Sequence, residues 1–143
     1  MRVACINERF SVAGQMTSTD VAEVAAAGFC AIVNNRPDEE EPAQPHSQII
    51  QATADDEGLC YFHLPVRGPD ITDDKVRAFQ KVLESSNGPV FAHCRSGTRS
   101  LTLFVIGEML DGRMRADDVI PFGVRHGFDL SGTAAWLHSH SGR

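Results

Sequence analysis

No stretch of this 143-residue sequence is apolar over anything near the roughly 20 residues that a membrane-spanning helix needs, so a bilayer span is excluded. Its first ten residues, MRVACINERF, lack the apolar core of a secretory signal, and the expected location is cytoplasmic. Positive charge is also scarce: 13 Lys and Arg face 19 Asp and Glu, a net charge of −6 that argues against a general nucleic-acid partner. There is no C-x-x-C pair. The four cysteines, Cys5, Cys30, Cys60 and Cys94, lie far apart, which removes zinc-finger spacing and a small disulfide framework. Among the histidines only His138-x-His140 approaches ligand spacing, so neither a metal nor a cofactor is expected. Nor is there an internal repeat or a compositional break, and a single domain over residues 1–143 follows.

What is present is an alternation of strand-like and helix-like segments. A strand over Phe10–Ala13 ends at Gly14, and Thr17-Ser-Thr-Asp20 has the form of a capping box opening a helix over Asp20–Ala27. Phe29–Val33 is a short apolar run of the kind found in strands covered on both faces. The acidic, proline-punctuated segment Asp38–Pro45 is expected as an exposed, solvated connector. A helix over His46–Asp56 offers Ile49, Ile50 and Ala54 to the core, and a strand follows over Leu59–Leu64. Thr72 caps a helix over Asp73–Ser85, where Val76, Phe79, Val82 and Leu83 recur at helical spacing. Then come a strand over Val90–His93, an apolar helix over Ser100–Leu110, and two short helices over Asp117–Arg125 and Ser131–His138, the last anchored by Trp136. Cys5, Cys30 and Cys60 sit among strand-type neighbours and are expected as core thiols.

Strands separated by helices predict an α/β fold with a mainly parallel central sheet flanked by helices on both faces. Ligands of such sheets bind beyond the carboxyl ends of the strands. That rule singles out Asn34–Asp38, Val66–Asp70 and Cys94–Arg99. In VFAHCRSGTRS, residues 90–100, Cys94 ends a strand and precedes a helix, so backbone N–H groups and the helix dipole favour negative charge on its sulfur. Gly97 lets successive amides of Arg95, Ser96, Gly97 and Thr98 turn toward a bound anion, and Arg99 presents a planar fork to two oxygens. Ser100 is placed to bond the sulfur and His93 to orient the loop. On the neighbouring rim Asn35, Arg36 and Asp38 either shape the pocket or serve a strand-ending turn.

At these residues the sequence resembles a known family. Cys94 to Ser100 with its strand is similar to the signature loop of cysteine-dependent phosphatases, and VAAAGFCAIVNNRPDEEE, YFHLPV and PVFAHC follow the element order of dual-specificity phosphatases. FSVAGQMTSTDVAEVAAAGFCAIVNNRPDEEEP and CRSGTRS resemble the bacterial DUF442 family, the phosphatase-like domain of beta-lactamase-hydrolase-like proteins, over roughly residues 3–110. The resemblance implies a dual-specificity/tyrosine phosphatase-like fold, Cys94 as nucleophile, Arg99 as anion clamp and Asp70 in the position of a general acid. One departure stands out. Only four residues separate Cys94 from Arg99, one fewer than in protein tyrosine phosphatases, whereas rhodanese-type sulfurtransferases have loops similar to CRSGTRS in length and composition.

The short loop therefore favours sulfane-sulfur transfer, with Cys94 taking sulfur from thiosulfate or a persulfide. Family members fused to a metallo-beta-lactamase-like domain imply a sulfur dioxygenase as partner. The alternatives are hydrolysis of a phosphate ester through a phosphocysteine, with Asp70 as acid and then base, and a catalytically silent anion-binding module.

Overall fold

The computed structural model describes residues 2–140, and its element order follows the expected alternation. Among these residues five strands, β1 (Val3–Asn7), β2 (Phe10–Ala13), β3 (Ala31–Asn34), β4 (Cys60–His63) and β5 (Val90–His93), form one sheet in the order β1-β2-β5-β3-β4. All neighbours are parallel except β1 and β2, which pair antiparallel. The parallel registers align Ala13 with His93, His93 with Asn34, and Asn34 with His63, so four strands finish level with one another. That common rim is where the fold places its loops.

Among the described residues six α-helices cover the sheet: α1 (Ser18–Ala26), α2 (Ser47–Asp56), α3 (Asp73–Ser85), α4 (Thr98–Leu110), α5 (Val119–Arg125) and α6 (Ser131–Ser139). The capping box forms as its spacing predicts, Asp20 N–H donating to Thr17 Oγ1 at 3.3 Å and Thr17 N–H to Asp20 Oδ2 at 2.8 Å. Thr72 caps α3 in the same way, accepting from Lys75 N–H. Two-residue periodicity divides the central strands between two cores. Ala31, Val33, Val90 and Ala92 face a core shared with α3, α4, α5 and α6, while Ile32 and Phe91 face α1 and α2. Both faces being covered explains why β2, β3 and β5 are buried at every position.

The edges behave differently, and there the sequence expectation is corrected. Cys5 and Cys60 are exposed and Cys30 is half-buried, so none of the three is a fully buried core thiol. The reason is position: β1 and β4 are the outermost strands, alternately exposed and half-buried along their length. Ile49 is likewise 58% exposed, with Ile50 and Ala54 alone carrying the buried face of α2 together with Ser47. Helix α4 begins at Thr98, two residues before the expected start, which puts Thr98 and Arg99 in its first turn. Trp136 is buried at 9% exposure, as a core anchor for α6.

The larger core turns on Phe79 of α3, fully buried and edge-on to Phe10 of β2 at a centroid distance of 5.7 Å. Phe79→Ala is expected to lower unfolding free energy by about 3–5 kcal/mol, the usual cost of emptying a buried aromatic site. Urea unfolding followed by circular dichroism measures it, and a loss below about 1 kcal/mol is inconsistent with a core packed on this ring.

Candidate active site

Cys94 follows the last residue of β5, and three backbone or side-chain bonds fix the loop that it opens. Its N–H donates to Ala13 O at 3.3 Å, Gln15 N–H donates to Arg95 O at 3.2 Å, and Gly97 N–H donates to Cys94 Sγ at 3.0 Å. Gly97 has φ of +97°, left-handed backbone that glycine adopts without strain, and a Cβ there would also meet the Phe128 ring at 3.0 Å. Gly14 is required for a different reason: a Cβ on it would stand 2.9 Å from Arg95 O. The sulfur is 1% exposed as part of Cys94, accepts one N–H, and lies at the start of a 13-residue helix whose dipole favours negative charge there. Ser96 and Thr98 hydroxyls lie 3.3 Å apart within the loop.

Asn35, Ser100 and His93 are all buried and take up different roles from those their types suggest. Asn35, at 0% exposure, donates its N–H to His93 O at 2.8 Å, accepts from Val66 N–H at 3.0 Å, donates Nδ2–H to Leu64 O at 3.0 Å, and receives the Ser100 hydroxyl on Oδ1 at 2.8 Å. The Ser100 hydroxyl is thus directed at Asn35, not at the Cys94 sulfur. Neither ring nitrogen of His93 makes a hydrogen bond of full geometry among the described residues, and the polar group that faces the ring is the backbone of Cys94. Burial pushes its pKa down to about 4, which keeps the imidazole neutral near pH 7.

Arg36 is the second buried surprise. Its side chain is 3% exposed, its N–H donates to Asn34 Oδ1 at 2.8 Å in a strand-ending turn, and its guanidinium meets two carboxylates: Nε to Glu40 Oε1 at 2.9 Å and Nη2 to Glu41 Oε1 at 2.6 Å. Arg99 grips the same Glu40 bidentately, Nη1 to Oε2 at 2.9 Å and Nη2 to Oε1 at 2.8 Å, while Nη1 also donates to Val66 O at 3.1 Å. Arg95 Nε meets Glu41 Oε1 at 3.0 Å. The Arg99 guanidinium beside Glu40 holds that carboxyl down to about 2. The acidic connector is an exposed loop over residues 39–43, as expected, but two of its carboxylates are paired rather than merely solvated. Two of its carboxylates sit on arginines that rim a cleft of about 440 Å³, whose walls also include Arg67. Asp38 stays out of that cleft and anchors the start of α2, accepting Ser47 N–H at 2.8 Å and Ser47 O–H at 2.6 Å.

Asp70 ends a single 3₁₀ turn, Gly68–Asp70, and is exposed, its carbonyl accepting from Lys75 Nζ at 3.1 Å. The segment carrying it is tied to the site through the Val66 carbonyl on Arg99. Glu40, Glu41, Arg67 and Gly14 were not singled out from the sequence. Their one available signal was position: Glu39-Glu-Glu41 follows a strand end on the same rim as the Cys94 loop, and carboxylates on a rim of arginines will pair with them.

Comparison with known proteins follows the same lines. A family model described as beta-lactamase hydrolase-like protein, phosphatase-like domain, matches residues 2–111. A beta-lactamase hydrolase-like protein of Agrobacterium fabrum is 47% identical over 141 residues, covering 99% of this chain and 33% of that relative, so the chain spans about a third of its length. A candidate phosphatase of Neisseria meningitidis has a similar structure, with a TM-score of 0.84 at 30% identity over 95% of this chain and 96% of that one. TpbA of Pseudomonas aeruginosa, solved with phosphotyrosine, has a TM-score of 0.67 at 14% identity over 91% of this chain and 78% of its own, a likeness of fold.

A buried neutral histidine beside the nucleophile makes stability depend on pH. The unfolded chain takes up a proton on His93 below its ordinary 6.5, while the native protein refuses it until about pH 4, so stability falls as pH drops through that window. Between about pH 7.5 and about pH 4.5 this linkage costs roughly 2 kcal/mol. Urea titrations of wild type and His93→Gln at the two pH values measure it, and an equal pH-dependent loss in both proteins contradicts a neutral buried imidazole.

Proposed function

The chain belongs to the family of phosphatase-like domains of beta-lactamase hydrolase-like proteins, and from that premise we propose that it hydrolyses phosphate monoesters through a phosphocysteine on Cys94. The observation that carries the reading is the Gly97 N–H pointing at Cys94 Sγ from 3.0 Å at the N-terminus of α4, with Arg99 in the first turn of that helix. A thiolate is the nucleophilic form of cysteine, and a guanidinium on the same loop matches the oxyanion under attack. The phosphotyrosine held by the similarly folded TpbA supports a phosphate ester as the substrate class here.

In this mechanism Cys94 Sγ attacks phosphorus, the ester oxygen departs with the proton of Asp70, and water activated by the resulting Asp70 carboxylate releases inorganic phosphate from the sulfur. Loop amides of Arg95, Ser96, Gly97 and Thr98, together with Arg99, hold the equatorial oxygens. Sulfane-sulfur transfer is the second reading, favoured by one specific feature, the four-residue spacing between Cys94 and Arg99. There the Cys94 thiolate attacks the outer sulfur of thiosulfate, sulfite leaves, and a thiol acceptor, or a sulfur dioxygenase partner acting downstream of it, takes the persulfide.

Hydrolysis of an aryl phosphate separates the readings. Cys94→Ser is expected to abolish turnover, and Asp70→Asn to lower kcat by about 10²- to 10⁴-fold. Intact-mass analysis after thiosulfate provides the other arm: a gain of one sulfur at Cys94, with no aryl phosphate turnover, overturns the phosphate reading in favour of sulfur transfer.

A further inference from the structure

We propose that Glu40 is a competitor built into the site: its carboxylate occupies the fork of Arg99 that a substrate oxyanion must use, so ligand entry exchanges one oxyanion for another. The inference rests on the reading of the Cys94–Arg99 loop as an oxyanion site and adds the residue that selects what enters it.

Geometry is the first support. Both Glu40 oxygens take an N–H from Arg99, at 2.8 and 2.9 Å, and Oε1 takes a third from Arg36 at 2.9 Å. That is how a guanidinium holds the two oxygens of a bound anion. Charge is the second. Glu40 and Glu41 already face Arg36, Arg95 and Arg99. With Glu40 seated, the cleft's three carboxylates offset three of its four arginines, and the fork of Arg99 is taken. Protonation does not clear the seat, because contact with Arg99 holds this carboxyl far below its ordinary range.

The loop's construction is the third support. Glu39 has φ of +66°, left-handed backbone that a side-chain-bearing residue rarely adopts, and it is this turn that delivers Glu40 to Arg99. The backbone of the segment is held apart from the Glu40 carboxylate: Asp38 is tied to Ser47, and Gln44 bonds the Pro37 carbonyl, the Glu40 N–H at 3.1 Å and the Glu41 carbonyl at 3.2 Å. Arg36 retains Glu41 when Glu40 departs, so the buried cation is never left unpaired. The Glu40 side chain can therefore release Arg99 while the turn that carries it stays in place. The consequence is selectivity: an anion no better than a carboxylate at filling the fork does not displace Glu40, whereas a phosphoryl group, with a third oxygen for the loop amides, does.

The test is inorganic phosphate binding by calorimetry and aryl phosphate kinetics on wild type, Glu40→Gln and Glu39→Gln. Glu40→Gln should bind phosphate about tenfold more tightly and show a correspondingly lower KM, since a charged hydrogen-bonded competitor is gone. Glu39→Gln removes a neighbouring carboxylate from the same cleft and should shift both quantities far less. Glu40→Asp keeps the charge but shortens its reach, and should also bind phosphate more tightly than wild type, which guards against a folding defect peculiar to the amide. Weaker phosphate binding, or a lower kcat with KM unchanged, in Glu40→Gln would instead make Glu40 a brace for Arg99 and overturn the proposal while leaving the phosphatase reading intact. Equal effects of Glu39→Gln and Glu40→Gln would reduce it to general electrostatics. If no variant binds phosphate or turns over aryl phosphate, the oxyanion reading itself fails and this inference falls with it.

Discussion

One buried amide holds the rim together. Asn35 has no exposure, and its backbone and side chain make four hydrogen bonds that join the end of β5, the segment after β4 and the first turn of α4. The amide's two ends are not interchangeable: Nδ2 must donate to the Leu64 carbonyl while Oδ1 accepts from Ser100. A carboxylate there would set oxygen against oxygen, and an apolar side chain would leave a buried carbonyl and hydroxyl without partners, at about 1–3 kcal/mol each. Through Ser100 this amide fixes α4, and α4 in turn presents Gly97 N–H and Arg99.

A second constraint is the burial of a cation. Arg36 sits at 3% exposure, and a guanidinium so placed must be matched by negative charge. Glu40 and Glu41 supply it, and because both also reach Arg99 or Arg95, satisfying the buried arginine organises the entire anionic cleft. Fold and chemistry meet at this point. The parallel strands end level, the loops that leave them carry arginines and glutamates, and the sulfur of Cys94 lies at the start of α4 within the same rim.

Much of this was legible in the sequence because it depends on local chemistry. The Thr17–Asp20 capping box, the Thr72 cap, the helical spacing of Val76, Phe79 and Val82, and the strand–cysteine–glycine–arginine–helix order around Cys94 each follow from neighbours a few residues apart. The exposure of Cys5 and Cys60 was not legible, because the same apolar alternation serves a central strand and an edge strand. Which of the two a strand becomes depends on the order β1-β2-β5-β3-β4. Ile49 failed for a related reason: helical spacing admits it to the buried face of α2, but the packing against α1 and the sheet takes Ile50 and Ala54.

The sequence by itself determined the α/β alternation, the covered parallel strands, the placement of Cys94 at a helix N-terminus and the proximity of Arg99, since caps, periodicity and turn residues act over one or two turns of chain. The tertiary structure decided what those residues face. The Ser100 hydroxyl goes to Asn35, His93 is sealed against the backbone of Cys94, and an acidic run that composition alone assigns to solvent closes on Arg36, Arg95 and Arg99. Those contacts join residues up to 65 positions apart, and only the sheet that brings the strand ends level puts them within hydrogen-bond reach.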